Sequence, residues 1–173
     1  AYFVDESGNV QGHYIQPDGF PEHPANLAID GTGLGGRSAH TLEKGHRLRI
    51  YYNDLTNIHK ITIVNGGDRD TEIAGGYTLS ERLMGGKVKV VSGSHEKNIP
   101  ITGHGDDTTH EINLLYEIIP NYIEIKARDD PRDESVGVKE VTVYNNMGNE
   151  ITARSAYFVD ESGNVQGHYI QPD

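Results

Sequence analysis

Apolar and polar residues alternate along much of this chain, in short runs. In "RLRIYYNDL", Leu48, Ile50 and Tyr52 fall on one face and Arg47, Arg49 and Tyr51 on the other. "KITIVN" repeats the pattern with Ile61 and Ile63, and "GKVKVVSGS" alternates Lys87, Val88, Lys89 and Val90. "NYIEIKAR" alternates Ile123, Glu124, Ile125 and Lys126, and "VKEVTVYNN" sets Val141 and Val143 on one face. Successive side chains of an extended backbone point to opposite sides, so a period of two predicts strands with one buried and one wet face. Clusters of Gly, Asn, Asp and Pro separate the runs and supply turn chemistry. No window carries a 3.6-residue apolar period, and "TLSERLMGG" has room for one helical turn at most. The pattern predicts an all-β domain of two packed antiparallel sheets, a β-sandwich.

One segment occurs twice. "AYFVDESGNVQGHYIQPD" fills residues 1–18 and, without a substitution, residues 156–173. "YFVD" and "VQGHYI" are strand-like and "ESGN" between them is a turn, so the segment predicts a hairpin. The offset between copies is 155 residues (156 − 1), too long for a solenoid repeat. It suits whole domains in tandem, with 1–155 as one unit carrying an N-terminal hairpin and 156–173 as the start of the next. A second reading has neighbouring units sharing the hairpin, because a sheet edge is a template for an identical strand.

Composition narrows the function. The chain's 173 residues fit one domain with a short appendage. Domains near that size bury about 68–70% of their unfolded surface and need no covalent staple. There is no cysteine, which excludes disulfides, thiolate metal sites and a cysteine nucleophile. Against 15 Lys and Arg stand 26 Asp and Glu, a formal charge of -11. That field opposes nucleic acid and anionic lipid as partners. No apolar run is long enough to insert in a membrane.

Candidate chemistry concentrates in "ANLAIDGTGLGGRSAHT". Asp30 offers a carboxylate, Gly31 permits a tight turn and the loop carbonyls add neutral oxygens. Calcium takes about 6–8 such oxygens in flexible geometry, although an Asp-Gly pair by itself is only a turn. "GHGDDTTH" brings His104, Asp106, Asp107 and His110 close in sequence, but not at the helical spacing of a zinc enzyme, and is expected to be a solvated loop. "KARDDPRDES" is expected to be a charged loop at one end of the sandwich. With no phosphate-cradling loop and no spacing suggestive of a Ser-His-Asp triad, the chain is not expected to be an enzyme.

Four pieces in order carry a family resemblance: "NLAIDG" at 26–31, "SAHT" at 38–41, "ITIVNGGD…SERLMGGKVKV" across 61–90 and "KEVTVY" at 139–144. Over roughly residues 20–145 the chain resembles the F-type (fucose-binding) lectin domain, within the galactose-binding-like, discoidin-type jelly-roll sandwiches. The resemblance implies a Ca2+ held by the carbonyls of Leu27, Thr32 and Lys139, the carboxylates of Asp30 and Glu140, and Ser38. It also implies a fucose site of one histidine and two arginines, in which His40 and Arg82 match. The first arginine's place is taken by Gly66. The family's paired cysteines give way to the insertion "DRDTEIAGGYTLS", whose Arg69 is the available substitute. A lost donor leaves sugar hydroxyls unpaired at about 1–3 kcal/mol per buried group.

The leading expectation is an extracellular (secreted), calcium-binding, lectin-like module of a tandem-repeat structural or adhesive protein. Its partners are neighbouring repeat units, with the hairpin linking them. The alternative is a fucose-type lectin whose repeats bind glycans multivalently.

Overall fold

The computed structural model describes residues 3–4, 10–11, 14–15, 25–31, 38–41, 45–52, 57–66, 72–73, 77–78, 83–102, 109–129 and 136–169. The first strands are β1 (Phe3–Val4), β2 (Val10–Gln11) and β3 (Tyr14–Ile15), followed by one 3-10 helix, η1 (Ala25–Ile29). Then come β4 (Ala39–His40), β5 (Arg47–Tyr52), β6 (Ile58–Asn65), β7 (Glu72–Ile73) and β8 (Tyr77–Thr78). β9 (Lys87–Ser92), β10 (His95–Pro100), β11 (Thr109–Ile118), β12 (Tyr122–Lys126) and β13 (Gly137–Tyr144) form the second half. β14 (Glu150–Ile151), β15 (Ala153–Val159) and β16 (Val165–Tyr169) close the fold. No helix among the described residues is long and apolar enough to cross a membrane.

Two antiparallel sheets face each other. The larger runs β10-β9-β12-β5-β15-β16-β3. The smaller runs β11-β6-β13, with β4 and β14 sharing the far edge of β13. The alternation read from the sequence sets the inner faces. Leu48, Ile50, Val88, Val90, Ile123 and Ile125 from the larger sheet meet Ile61, Ile63, Val141 and Val143 from the smaller, all buried. Removing such side chains from water at about 25 cal/mol per Å² is what holds the layers together. The result is the expected all-β sandwich.

Two polar residues depart from expectation. Glu124 lies on the outer face, as alternation requires, yet is 1% exposed. His110 of "GHGDDTTH" is no loop residue: it stands on β11 opposite Ile63 and is buried. The rest of that motif, at 103–108, lies outside the described residues, as does 130–135 of the charged loop.

The terminal copy of the repeated segment is an inner part of the large sheet. β15 lies between β5 and β16, with Phe158 opposite Leu48 and Ala156 opposite Ile50. Phe158 and Val159 are fully buried. The predicted turn is present: Asp160 and Asn164 are bonded by Asp160 N–H to Asn164 O at 3.0 Å, and Gly163 at positive φ donates back to Asp160 O. In the first copy, Phe3 pairs with Gln11 and Val4 with Val10, a two-stranded ladder of its own.

Candidate glycan site and cation loop

The loop motif begins with η1, which packs against β13, β15 and β4. Asp30 follows it, exposed, and then Gly31 at φ 75°. That left-handed conformation suits glycine, which has no Cβ to collide with the following carbonyl. Leu27 is half-buried against the core.

"SAHT" behaves as a short strand. Ala39 and Thr41 are fully buried, while Ser38 and His40 are half-buried on the other side. Two bonds pin it to the entry of β13: Thr41 N–H donates to Val136 O at 3.0 Å, and Val136 N–H donates to Thr41 Oγ1 at 2.9 Å. Ala39 then faces Val138, and His40 faces Gly137.

β13 is bulged at the predicted ligand pair. Val138 faces Asn65 and Glu140 faces Val64, so two steps along β13 answer one along β6, with Lys139 as the extra residue. A bulge departs from the ladder and re-aims backbone and side chain. Glu140 shares its face with Thr142, as alternation predicts, but is only 8% exposed. Its charge is felt in the core: burial raises the Tyr52 hydroxyl pKa, and the Glu140 carboxylate raises it further.

Gly66 stands at the end of β6. Its N–H donates to Gly137 O at 3.0 Å, so His40, Gly137 and Gly66 lie abreast across three strands. Two strand spacings separate His40 from Gly66, about 10 Å. A Cβ on Gly66 would sit 2.6 Å from Gly137 C, 2.7 Å from Val138 N and 2.9 Å from Gly137 O. These are backbone atoms within the sheet and cannot step aside as a flexible side chain would. Gly66, where the lectin resemblance implies an arginine, has no room for a side chain unless the backbone shifts.

Leu27, Asp30, Ser38, His40, Lys139 and Glu140 are therefore all on, or directly beside, the mutually packed η1, β4 and β13. Thr32, Arg69 and Arg82 lie outside the described residues.

A second polar centre was missed by sequence reasoning. On the outer face of the large sheet, Arg49 Nε donates to Glu124 Oε2 at 2.7 Å. Lys89 Nζ lies 3.3 Å and Arg47 Nη1 3.4 Å from Glu124 Oε1. The Arg49 guanidinium stacks 4.3 Å over the Tyr122 ring, and Tyr51 contacts both Tyr122 and Tyr157. Beside them a cleft of about 220 Å³ carries Arg47, Lys87, Lys89 and Lys126 in its lining. Three outward-facing strands supply the cluster, so its only sequence signal was the charged outer half of each alternating run. A larger cavity of about 410 Å³, between the β9–β10 hairpin and the end of β11, is lined by none of the predicted site residues.

The fold is an antiparallel β-sandwich in which η1, β4 and the start of β13 pack together. Solved structures agree. The chain superposes on a histidine mutant of the lectin binding domain of Lectinolysin complexed with Lewis b, with a TM-score of 0.57 and 13% identity, covering 84% of this chain and 99% of that one. It superposes on the Streptococcus pneumoniae fucose binding module SpX-3 with a TM-score of 0.54 and 17% identity, over 78% of this chain and 94% of that one. A further Streptococcus pneumoniae fucose binding module matches with a TM-score of 0.55 and 15% identity, over 82% and 99%. At these identities the likeness establishes the fold. No family model matches the chain, and no curated protein sequence does.

Proposed function

We propose that this chain is an extracellular, non-enzymatic lectin-fold module, one unit of a tandem-repeat structural or adhesive protein, in which Ca2+ ties the η1 loop to the last strand of the smaller sheet. The observation that carries this reading is the bulge at Lys139 beside the buried Glu140, on the strand against which η1 packs. The donor set fits a hard cation: two carboxylates from Asp30 and Glu140, the Ser38 hydroxyl and the carbonyls of Leu27, Thr32 and Lys139. All are oxygens, and six is within calcium's usual number of about 6–8. When bound, the ion would supply charge neutralisation for the two acids and a cross-link between loop and strand.

Thermal melting in calcium and in chelator tests it. An ion that binds only the folded state stabilises by mass action, about 2.7 kcal/mol at one hundred times its Kd. The melting temperature is expected to fall on chelation, and Asp30→Ala is expected to abolish the difference. Identical melts with and without calcium would reject the site.

A second reading, glycan binding by the repeats, is favoured by what the similar structures are named for, Lewis b and fucose, and by the half-exposed His40 on β4. In it His40 and Arg82 donate to the sugar, Arg69 substitutes for the lost arginine, and the array supplies avidity. Glycan-array binding that disappears in His40→Ala and in Arg82→Ala would support this reading. Silence of the wild type would leave the structural module.

A further inference from the structure

We infer that residues 1–18 are a strand donor for a second copy of this chain, and fit the slot that residues 156–169 fill in their own sandwich. Strand donation rests on the tandem repeat and needs neither ion nor sugar.

The slot is the edge of β5. β15 pairs with β5, β16 of the same hairpin pairs with β15 on its other side, and Phe158 is 0% exposed within the core. Side chains of β5 also grip the turn. Arg47 Nη2 donates to Asp160 O and to Glu161 O, both at 2.7 Å. Arg49 Nη1 reaches Gly163 O at 3.5 Å. Gly45 leaves room for the Glu161 side chain, since a Cβ there would be 2.9 Å from Glu161 Oε1. The turn closes on itself through Asp160, which accepts from Asn164 N–H and from Gln166 Nε2, each at 2.9 Å.

Every hairpin residue in that account is duplicated at the other end of the chain. Phe3, Asp5, Glu6, Gly8, Asn9 and Gln11 stand where Phe158, Asp160, Glu161, Gly163, Asn164 and Gln166 stand, 155 residues earlier. A slot that accepts one copy has the same complement of contacts for the other. The first copy, in its described strands, does not pair with β5, whose neighbours are β12 and β15. Its β1–β2 ladder is a separate two-stranded sheet, and two-stranded hairpins are marginal in water. Among the described residues its link to the large sheet is β3 on the edge of β16, with Ile15 opposite His168 and Tyr14 opposite Tyr169, its own counterpart.

The hairpin of β15 and β16 thus completes the large sheet of its own copy, with β3 on the edge, and the same sequence at the start of the chain is available to complete another. Exchange of an identical element between copies is a low-cost route to assembly. In a tandem chain it makes each junction a pair of strands inside a sheet rather than a linker on the surface.

The test disables the resident copy in the full chain. Phe158→Asp puts a charge where the side chain is fully buried, which the core does not tolerate. Light scattering over a concentration series is expected to show F158D assembling beyond a monomer and F3D/F158D failing to do so. A synthetic 18-residue peptide of the repeated sequence is expected to raise the melting temperature of F3D/F158D, and the same peptide with its phenylalanine changed to aspartate is not. A monomeric F158D, equal assembly of both variants, or a native-sequence peptide without effect on the double variant would each overturn the inference. No readout involves calcium or a glycan, so failure here is distinct from failure of the cation site.

Discussion

Gly66 stands where the lectin resemblance implies an arginine, and its packing decides whether any side chain fits there. Consider Gly66→Ala. The new methyl would start 2.6 Å from Gly137 C and 2.7 Å from Val138 N, well inside van der Waals contact. Relief requires the end of β6 to move away from β13, which breaks the 3.0 Å bond from Gly66 N–H to Gly137 O. The lost bond is worth about 1 kcal/mol, and overpacking of this kind costs about 1–3 kcal/mol. The sum is about 3 kcal/mol. A domain of this size loses roughly 2–4 °C of melting temperature per kcal/mol, so the shift is about 10 °C. Scanning calorimetry of the wild type, Gly66→Ala and Gly66→Arg measures it, and titration with fucose asks whether the arginine restores binding. Both variants are expected to melt lower, and Gly66→Arg to gain no affinity. An alanine variant that melts with the wild type, or an arginine variant that is equally stable and binds fucose, would refute the packing argument.

Two further predictions rest on the large sheet. Glu124→Gln removes the buried anion shared by three cations whose side chains are 14–22% exposed, of which Lys89 keeps Glu96 at 3.6 Å. Because the cations keep some water, the loss is expected near the low end of the roughly 3–5 kcal/mol typical of breaking a buried pair. Urea unfolding at low and high salt checks it, with a smaller difference at high salt as screening weakens the wild-type cluster. For the hairpin turn, hydrogen bonds from Asn164 hold the Asp160 pKa below its usual value. A depressed carboxylate contributes stability above its unfolded pKa of about 4 and loses it as pH falls through the folded value. Below pH 4 the melting temperature of Asp160→Asn is therefore expected to fall less steeply than that of the wild type; parallel slopes would count against the turn's role.

The strands carrying Leu48, Ile61, Val88, Ile123 and Val141 were legible because each alternates over a run bounded by turn residues, and their inward faces did become the core. Glu124 was not legible as a buried group. Alternation placed it outward correctly, but its burial depends on Arg47, Arg49 and Lys89 arriving from neighbouring strands, and register between strands is set by pairing that no single run encodes. His110 was hidden for a related reason: its polar neighbours suggested a loop, while pairing of β11 with β6 drew it inside. At the candidate site the Asp-Gly turn was readable, and Gly31 takes the positive φ it requires. The extra residue at Lys139 and the tight backbone at Gly66 were not, since both are properties of two strands together. The repeated hairpin showed its own shape in the sequence, with strands and turn where expected. Its place between β5 and the sheet edge depends on partners more than a hundred residues away.

The most direct measurement is the anomalous-scattering density of a crystal grown in calcium. A calcium ion in the proposed site gives a peak bridging the Asp30 and Glu140 carboxylates, with oxygens at about 2.3–2.6 Å. Carboxylates too far apart to share one ion, or density between them that carries no anomalous signal, would contradict it.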